Sequence, residues 1–154
     1  MDAILNYLML EDLLVQRLTD ELPELKAILT AMDLSSVQAN RQMESAAHVI
    51  YMGDEVGSGH LTQGSTGAAQ VTAQIWMVVL VIKFAGTVST GKGNREKAGP
   101  LIAKLLKALC GWQPAAPMTA LRRIGTSNLK VGYDNGFAYY PFQFKSTHVL
   151  LGKL

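Results

Sequence analysis

Residues Gln70 to Phe84 read QVTAQIWMVVLVIKF and predict one long β-strand around which the chain is organised. In its first half Val71, Ala73 and Ile75 alternate with polar residues, which is typical of a strand with one apolar face and one wet face. From Trp76 onwards both faces are apolar, and β-branched residues are too frequent for a helix. We therefore predict a strand that is covered throughout on one face and only along its later half on the other.

A chain of 154 residues has little material with which to cover a second face of this strand. We therefore predict that Trp76, Val78 and Leu80 contact a neighbouring subunit. The segment 148–154 is an apolar C-terminal tail, and its Leu150 and Leu151 are further candidates for a subunit interface. The composition agrees with buried contacts between subunits, because 49% of the residues are apolar and only 17% are charged.

The overall charge and the single cysteine exclude several other classes of protein. A net charge of +2 is too small to indicate nucleic acid as the main partner. Cys110 alone cannot form a disulfide within the chain, which fits a reducing compartment. The longest apolar run, Ile75 to Ile82, is too short to span a bilayer, and no basic signal-peptide start precedes the first helix. We expect no membrane association.

Two amphipathic helices flank the strands. The first is predicted over Leu8 to Leu22, and the second runs from about Asn94 to Cys110, although Pro100 suggests that its regular part begins only near Gly99. Shorter strands are predicted at Leu25–Ala31, Ala47–Met52, Leu129–Tyr133 and Phe137–Thr147. Pro141 places the last of these at a sheet edge or at a bulge.

Residues Gly53 to Gly67 form a glycine-rich segment, with five glycines in fifteen residues. Two interpretations stay open. The segment is either a mobile hairpin loop or an arm that becomes ordered only against a partner. In the second case the contacts with that partner would come from the centre of the arm, which comprises His60, Leu61, Thr62 and Gln63.

The segment Gly86 to Gly93, GTVSTGKG, is one residue away from a phosphate-binding Walker A loop. Gly93 stands where the magnesium-binding hydroxyl should be, and only one strand–loop–helix unit is visible, which argues against nucleotide binding. The three histidines are scattered, and no histidine lies near Cys110 in the sequence. We therefore predict a protein that is not an enzyme and has no metal and no cofactor.

The second helix and its exit resemble a known family. Ala98-Gly99-Pro100-Leu101 and Leu109-Cys110-Gly111-Trp112-Gln113-Pro114 are similar to segments of the tail terminator proteins of long-tailed bacteriophages. The resemblance covers about Leu8 to Thr147, including Gln74 to Val79 and Tyr139 to Phe144. It marks Gly99, Pro100, Gly111, Trp112 and Pro114 as a structural motif.

The resemblance implies a single α/β (α+β) domain, with a mostly antiparallel sheet and two main helices packed on one face. It also implies a ring, of six copies, that caps the tail tube, ends tail polymerisation and provides the surface for head joining. The partners would then be other copies of the chain, the tail tube protein and a head–tail connector, with DNA passing through the lumen unbound. Such a protein is assembled in the host cytoplasm and resides in the virion, at the head-proximal end of the tail.

Two alternatives stay open from the sequence. The chain could be another neck, connector or head-completion ring protein, because such proteins also form rings. Less favoured is a small nucleotide-binding protein that uses Gly86 to Gly93.

Overall fold

The computed structural model describes residues 6–39, 44–57, 69–84, 91–125 and 130–153. The helices within these ranges are α1 (Leu10–Glu21), α2 (Leu34–Ala39) and α3 (Lys92–Leu109). The strands are β1 (Ala27–Ala31), β2 (Ser45–Val56), β3 (Ala69–Lys83), β4 (Arg122–Ile124), β5 (Gly132–Asp134) and β6 (Phe137–Leu151). They form one sheet in the order β1-β2-β3-β6-β4, with β5 also paired to β6, and only the β1–β2 pair is parallel. The predicted α+β fold with a mostly antiparallel sheet is confirmed.

Strand β3 is the centre of this sheet. It pairs with β2 on one side, and on the other it is opposite β6 along its whole length, from Ala69 opposite Leu151 to Lys83 opposite Phe137. Every side chain from Trp76 to Ile82 is at most 2% exposed. Both faces of β3 are therefore covered along this half, as its apolar sequence predicts.

The face of β3 that carries Trp76, Val78 and Leu80 is covered by helices of the same chain. These three side chains share one core with the buried leucines of α1 and with Leu105 and Leu109 of α3. The prediction that they form a subunit interface is therefore wrong. The two main helices lie side by side on this face, and together they are wide enough to cover it.

The opposite face of β3 is covered by the short helix α2. Its Val37 belongs to a second core with Met77, Val79 and Val81 of β3, and Ile50 of β2 joins them. The six residues of α2 reach only part of the sheet. Along the first half of β3, Val71, Ala73 and Ile75 on this face stay half-buried.

Several element boundaries differ from those predicted. Strand β2 continues through Val56 after a bulge at Met52, so the first residues of the predicted arm 53–67 belong to the sheet, while His60 to Gln63 lie outside the described residues. Strand β6 continues through Leu151, so the predicted tail 148–154 begins as a strand that pairs with β3. Antiparallel pairing with β3 extends both strands beyond their most apolar residues.

Helix α3 begins at Lys92 and contains Pro100, so the expectation that it becomes regular only near Gly99 is wrong. Proline cannot donate the helical hydrogen bond to the carbonyl four residues earlier. Gly99 and Pro100 are both exposed, which leaves that turn of the helix open to water. Pro141 lies in β6 between the residues that pair with β5 and those that pair with β4, where no described strand faces it on that side.

The burial of Val78 makes a direct prediction about stability. Val78→Asp places a carboxylate in a core that offers it no partner, and we expect the free energy of unfolding to fall by about 3 kcal/mol or more. Urea unfolding of the isolated chain measures the change. Val149→Asp, at a position that is 38% exposed, is the matched control and should cost far less. Similar losses for the two variants would contradict the packing described above.

Candidate functional site

The exit of α3 is a structural junction. Gly111 has φ +82°, a left-handed conformation that glycine adopts without strain and that ends the helix. The backbone N–H of Gly111 donates to the Leu121 carbonyl, and the N–H of Leu121 donates to the Trp112 carbonyl, both at 2.8 Å. The chain leaving α3 is thereby tied to the segment that enters β4.

Arg17 of α1 completes this junction. Its Nε donates to the Ala108 carbonyl at 3.0 Å, and its guanidinium lies 5.4 Å from the centre of the Trp112 ring. The Glu21 carboxylate forms an ion pair with the same guanidinium, with 3.1 Å between Glu21 Oε1 and Arg17 Nη1. The Gly111–Trp112 part of the sequence motif therefore joins α1, α3 and the start of β4, while Pro114 lies half-buried just beyond it.

A cluster of polar side chains lies under the segment that precedes α1. The Tyr7 hydroxyl donates to the Asp54 carboxylate, and the Gln74 amide donates to the Tyr7 carbonyl. The indole N–H of Trp76 donates to the Gln74 side-chain oxygen at 3.0 Å, and the Tyr7 ring meets the His148 ring edge-on at 5.5 Å. The segment before α1 is therefore fastened across β2, β3 and β6.

This cluster reverses the expected faces of the first half of β3. Thr72 and Gln74 are 3% and 0% exposed, although the alternation of the sequence assigns them to water. They lie on the face that α1 and α3 cover, and the segment at Tyr7 extends that cover to them. The carbonyl that accepts from the Gln74 amide, that of Tyr7, is 67 residues away in sequence, so no local pattern could have revealed it.

Burial changes the proton affinity of several groups in the sheet. His148 is 3% exposed and neither ring nitrogen has a hydrogen-bond partner among the described residues; this burial lowers its pKa, and the nearby Asp54 only partly offsets the effect. Burial also lowers the pKa of His48. Burial and then the hydrogen bond to Asp54 raise the pKa of Tyr7 to about 12.

The far end of the sheet is a ribbon formed by the outer parts of β2, β3 and β6. Four apolar residues on this ribbon are 38% to 59% exposed, namely Val56, Val149, Leu150 and Leu151. On the side of β2 away from β3, β1 pairs only as far as Ile50. Leu150 and Leu151 are thus accessible on this ribbon, where the prediction that they contact another subunit stays a prediction.

The glycine-rich loop before α3 lies partly outside the described residues, which resume at Gly91. Gly91 has φ +67° and precedes the helix, and Lys92 follows in the first turn, 3.9 Å from Glu96. Buried Asn94 donates to the Ile82 carbonyl at 3.1 Å and accepts from the Tyr140 hydroxyl. The start of α3 is thus anchored to β3 and β6, a structural role that the sequence did not reveal.

No three acidic, histidine or cysteine residues within the described ranges are grouped so as to hold a metal ion. The same residues include no helix with the length and apolar character needed to cross a membrane.

Comparison with known families identifies the family of the chain. The family profile described as phage tail terminator protein matches residues 4–152, which is nearly the whole chain. The chain belongs to the phage tail terminator family. It is accordingly a structural component of a phage tail and of the virion. No curated protein matches the sequence.

The buried histidines predict how the stability of this terminator-family chain depends on pH. Because the pKa of His148 and of His48 is lowered on folding, the unfolded chain binds more protons below the ordinary histidine value of 6.5. Stability should therefore be complete above that value and fall as the pH drops below it. Urea midpoints across about pH 7.5 to 5 measure this trend.

His148→Phe tests the contribution of one ring. It replaces a buried ring without hydrogen bonds by an apolar ring, so stability at neutral pH should change little while the acid loss becomes smaller. The remaining loss belongs to His48. An unchanged acid dependence in His148→Phe would contradict the described environment of this ring, whose charged and titratable neighbours are Tyr7 and Asp54.

Proposed function

We propose that this chain forms a ring, of six copies, that caps the completed tail tube, stops its polymerisation and provides the surface on which the head is joined. The observation that carries the proposal is the family match over residues 4–152. Two structural features support the proposal. The helices of the chain cover its own core, and the end of β6 still presents exposed apolar side chains.

The ribbon end is the surface that suits contact with another subunit. Leu150 is 38% exposed and Leu151 57% exposed at the end of β6, and Val56 at the end of β2 is 59% exposed. Covering such side chains with another protein removes apolar surface from water, which favours association. The ordered strand pairing beneath them means that little chain entropy is lost on binding.

Contacts with the tube or the head connector are assigned to the centre of the glycine-rich arm, at His60, Leu61, Thr62 and Gln63. A terminator has to bind the end of a tube without offering a site for the next ring, and an adaptable loop meets that requirement. Many glycines give the backbone the necessary freedom. A net charge of only +2 is compatible with a lumen through which DNA passes unbound.

Deleting the gene and examining particles by electron microscopy tests the proposal. Loss of a terminator should give overlong or unfinished tails, because nothing stops polymerisation of the tube. Supplying the intact chain in trans should restore tails of normal length. Tails of normal length beside unjoined heads would instead identify another neck or connector protein and contradict a terminator.

Shortening the arm tests the contact assigned to it. Deletion of residues 58–65 leaves every described strand in place, so we expect native mass spectrometry to show rings with an unchanged number of copies. Capping of tubes, or joining of heads, should be impaired in a complementation assay. Replacing the same residues by a glycine–serine segment of equal length is the control that separates arm length from side-chain contacts. Full activity of the shortened chain would overturn this assignment.

A further inference from the structure

A cleft with an apolar floor opens between α3, β4 and β6. It has a volume of about 340 Å³. Its lining consists of Ile102, Leu106, Arg123, Lys130, Val131, Tyr140, Pro141 and Phe142. We call these residues the basic cleft, because the two charged side chains among them are both cations.

The two cations of the basic cleft carry charge that no described residue neutralises. Arg123 and Lys130 are exposed, and neither forms an ion pair with any residue that the structure describes. The Arg123 guanidinium lies 5.1 Å from the centre of the Phe142 ring, so it is held over the apolar floor. The cleft therefore fits an apolar side chain that is accompanied by carboxylates.

The same chain presents such a group elsewhere on its surface. Leu8, Glu11 and Asp12 are spaced i, i+3 and i+4 through the turn that leads into α1, where the Glu11 N–H donates to the Leu8 carbonyl at 3.1 Å. Residues at this spacing lie on one side of a helix. Leu8 is 41% exposed, and neither acid forms an ion pair with a described residue. We call these three residues the acidic knob.

Helix α3 separates the knob from the cleft within one chain. Its residues Lys104 and Ala108 contact Glu24 and Arg17 on the α1 side, whereas Ile102 and Leu106 face the cleft. The knob therefore cannot reach the cleft of its own chain without unfolding. Two complementary surfaces at different places on one molecule produce a head-to-tail contact between copies, and such contacts form a ring when the rotation from one copy to the next closes.

We propose that the acidic knob of one copy binds in the basic cleft of the next. Leu8 enters the apolar floor, and Glu11 and Asp12 lie against Arg123 and Lys130. The helix dipole explains why acids are favourable in the first turn of α1, but it does not explain an exposed leucine beside them. This inference rests on the proposed ring, to which it assigns one of the contacts between copies.

Charge reversal tests the contact. Arg123→Glu with Lys130→Glu reverses the cleft, so that knob and cleft are both negative. Glu11→Arg with Asp12→Arg reverses the knob, so that both are positive. Each doubly substituted chain should need at least about tenfold higher concentration to form rings, because like charges face each other. Native mass spectrometry and light scattering measure this concentration, and rings of the unmodified chain should weaken as salt is added.

The decisive measurement uses a mixture of the two charge-reversed chains. In an equal mixture each positive surface meets a negative one, so alternating rings should form again, and only with an even number of copies. A chain that carries all four substitutions should also assemble alone. Either recovery excludes misfolding as the reason for the loss, and circular dichroism of each separate chain checks this directly.

Control variants reverse charges elsewhere on the two main helices. Lys97→Glu with Lys107→Glu lies on the exposed side of α3, and Asp20→Arg lies on α1 outside the knob; both should assemble normally. Leu8→Ser, which leaves the charge unchanged, should weaken the rings without any reversal of the cleft. This variant separates the apolar part of the contact from its charge.

The outcomes distinguish failure of this inference from failure of the ring. Rings that form equally well from all reversed chains would overturn the knob-and-cleft contact and leave the proposed function standing. An unmodified chain that forms no ring, alone or on purified tail tubes, would overturn both. A reversed cleft that lowers affinity for duplex DNA while rings stay intact would assign the cations to DNA, and would overturn the contact as well.

Discussion

The burial of β3 on both faces is the constraint on which the rest of the structure depends. Seven consecutive residues, Trp76 to Ile82, are withdrawn from water, and a large apolar side chain contributes about 1.5 to 3 kcal/mol when it is fully buried. Covering one face takes both α1 and α3, and covering the other takes α2. The helices are therefore committed to the core of their own chain, and contacts with other molecules fall to the surfaces that this packing leaves.

Those surfaces are the outer end of the sheet and the outer sides of α1 and α3. Before Trp76, in the first half of β3, the cover becomes thin, with the Tyr7 segment on one face and no described helix on the other. The ribbon that carries Leu150 and Leu151 extends from this region. The junction at Gly111 and Trp112 contributes differently, because it fixes the positions of α1, α3 and β4 and so gives the basic cleft its walls.

Periodicity in the sequence was sufficient to predict α1, α3, β3 and β6, since each repeats apolar residues at the spacing of its own structure. It could not decide which face of β3 the helices cover. A polar residue such as Gln74 is assigned to water by pattern, yet it is buried because its amide reaches a carbonyl at Tyr7. The basic cleft was missed for the same reason, because its walls at Ile102, Arg123 and Phe142 are distant in sequence and only the fold unites them.

Tyr7 and Leu8 are neighbours in the turn before α1, and this adjacency links the acidic knob to the ribbon. Tyr7 is fastened to Asp54 of β2 and to Gln74 of β3, both of which belong to the ribbon. Leu8 faces outwards in the same turn, where the proposed contact between copies would hold it. A neighbouring copy bound at Leu8 would therefore fix the turn that holds the ribbon. Binding of a neighbouring copy at Leu8 would therefore also reduce motion of the ribbon at Tyr7, because the backbone that joins these two residues has only two soft torsions per residue.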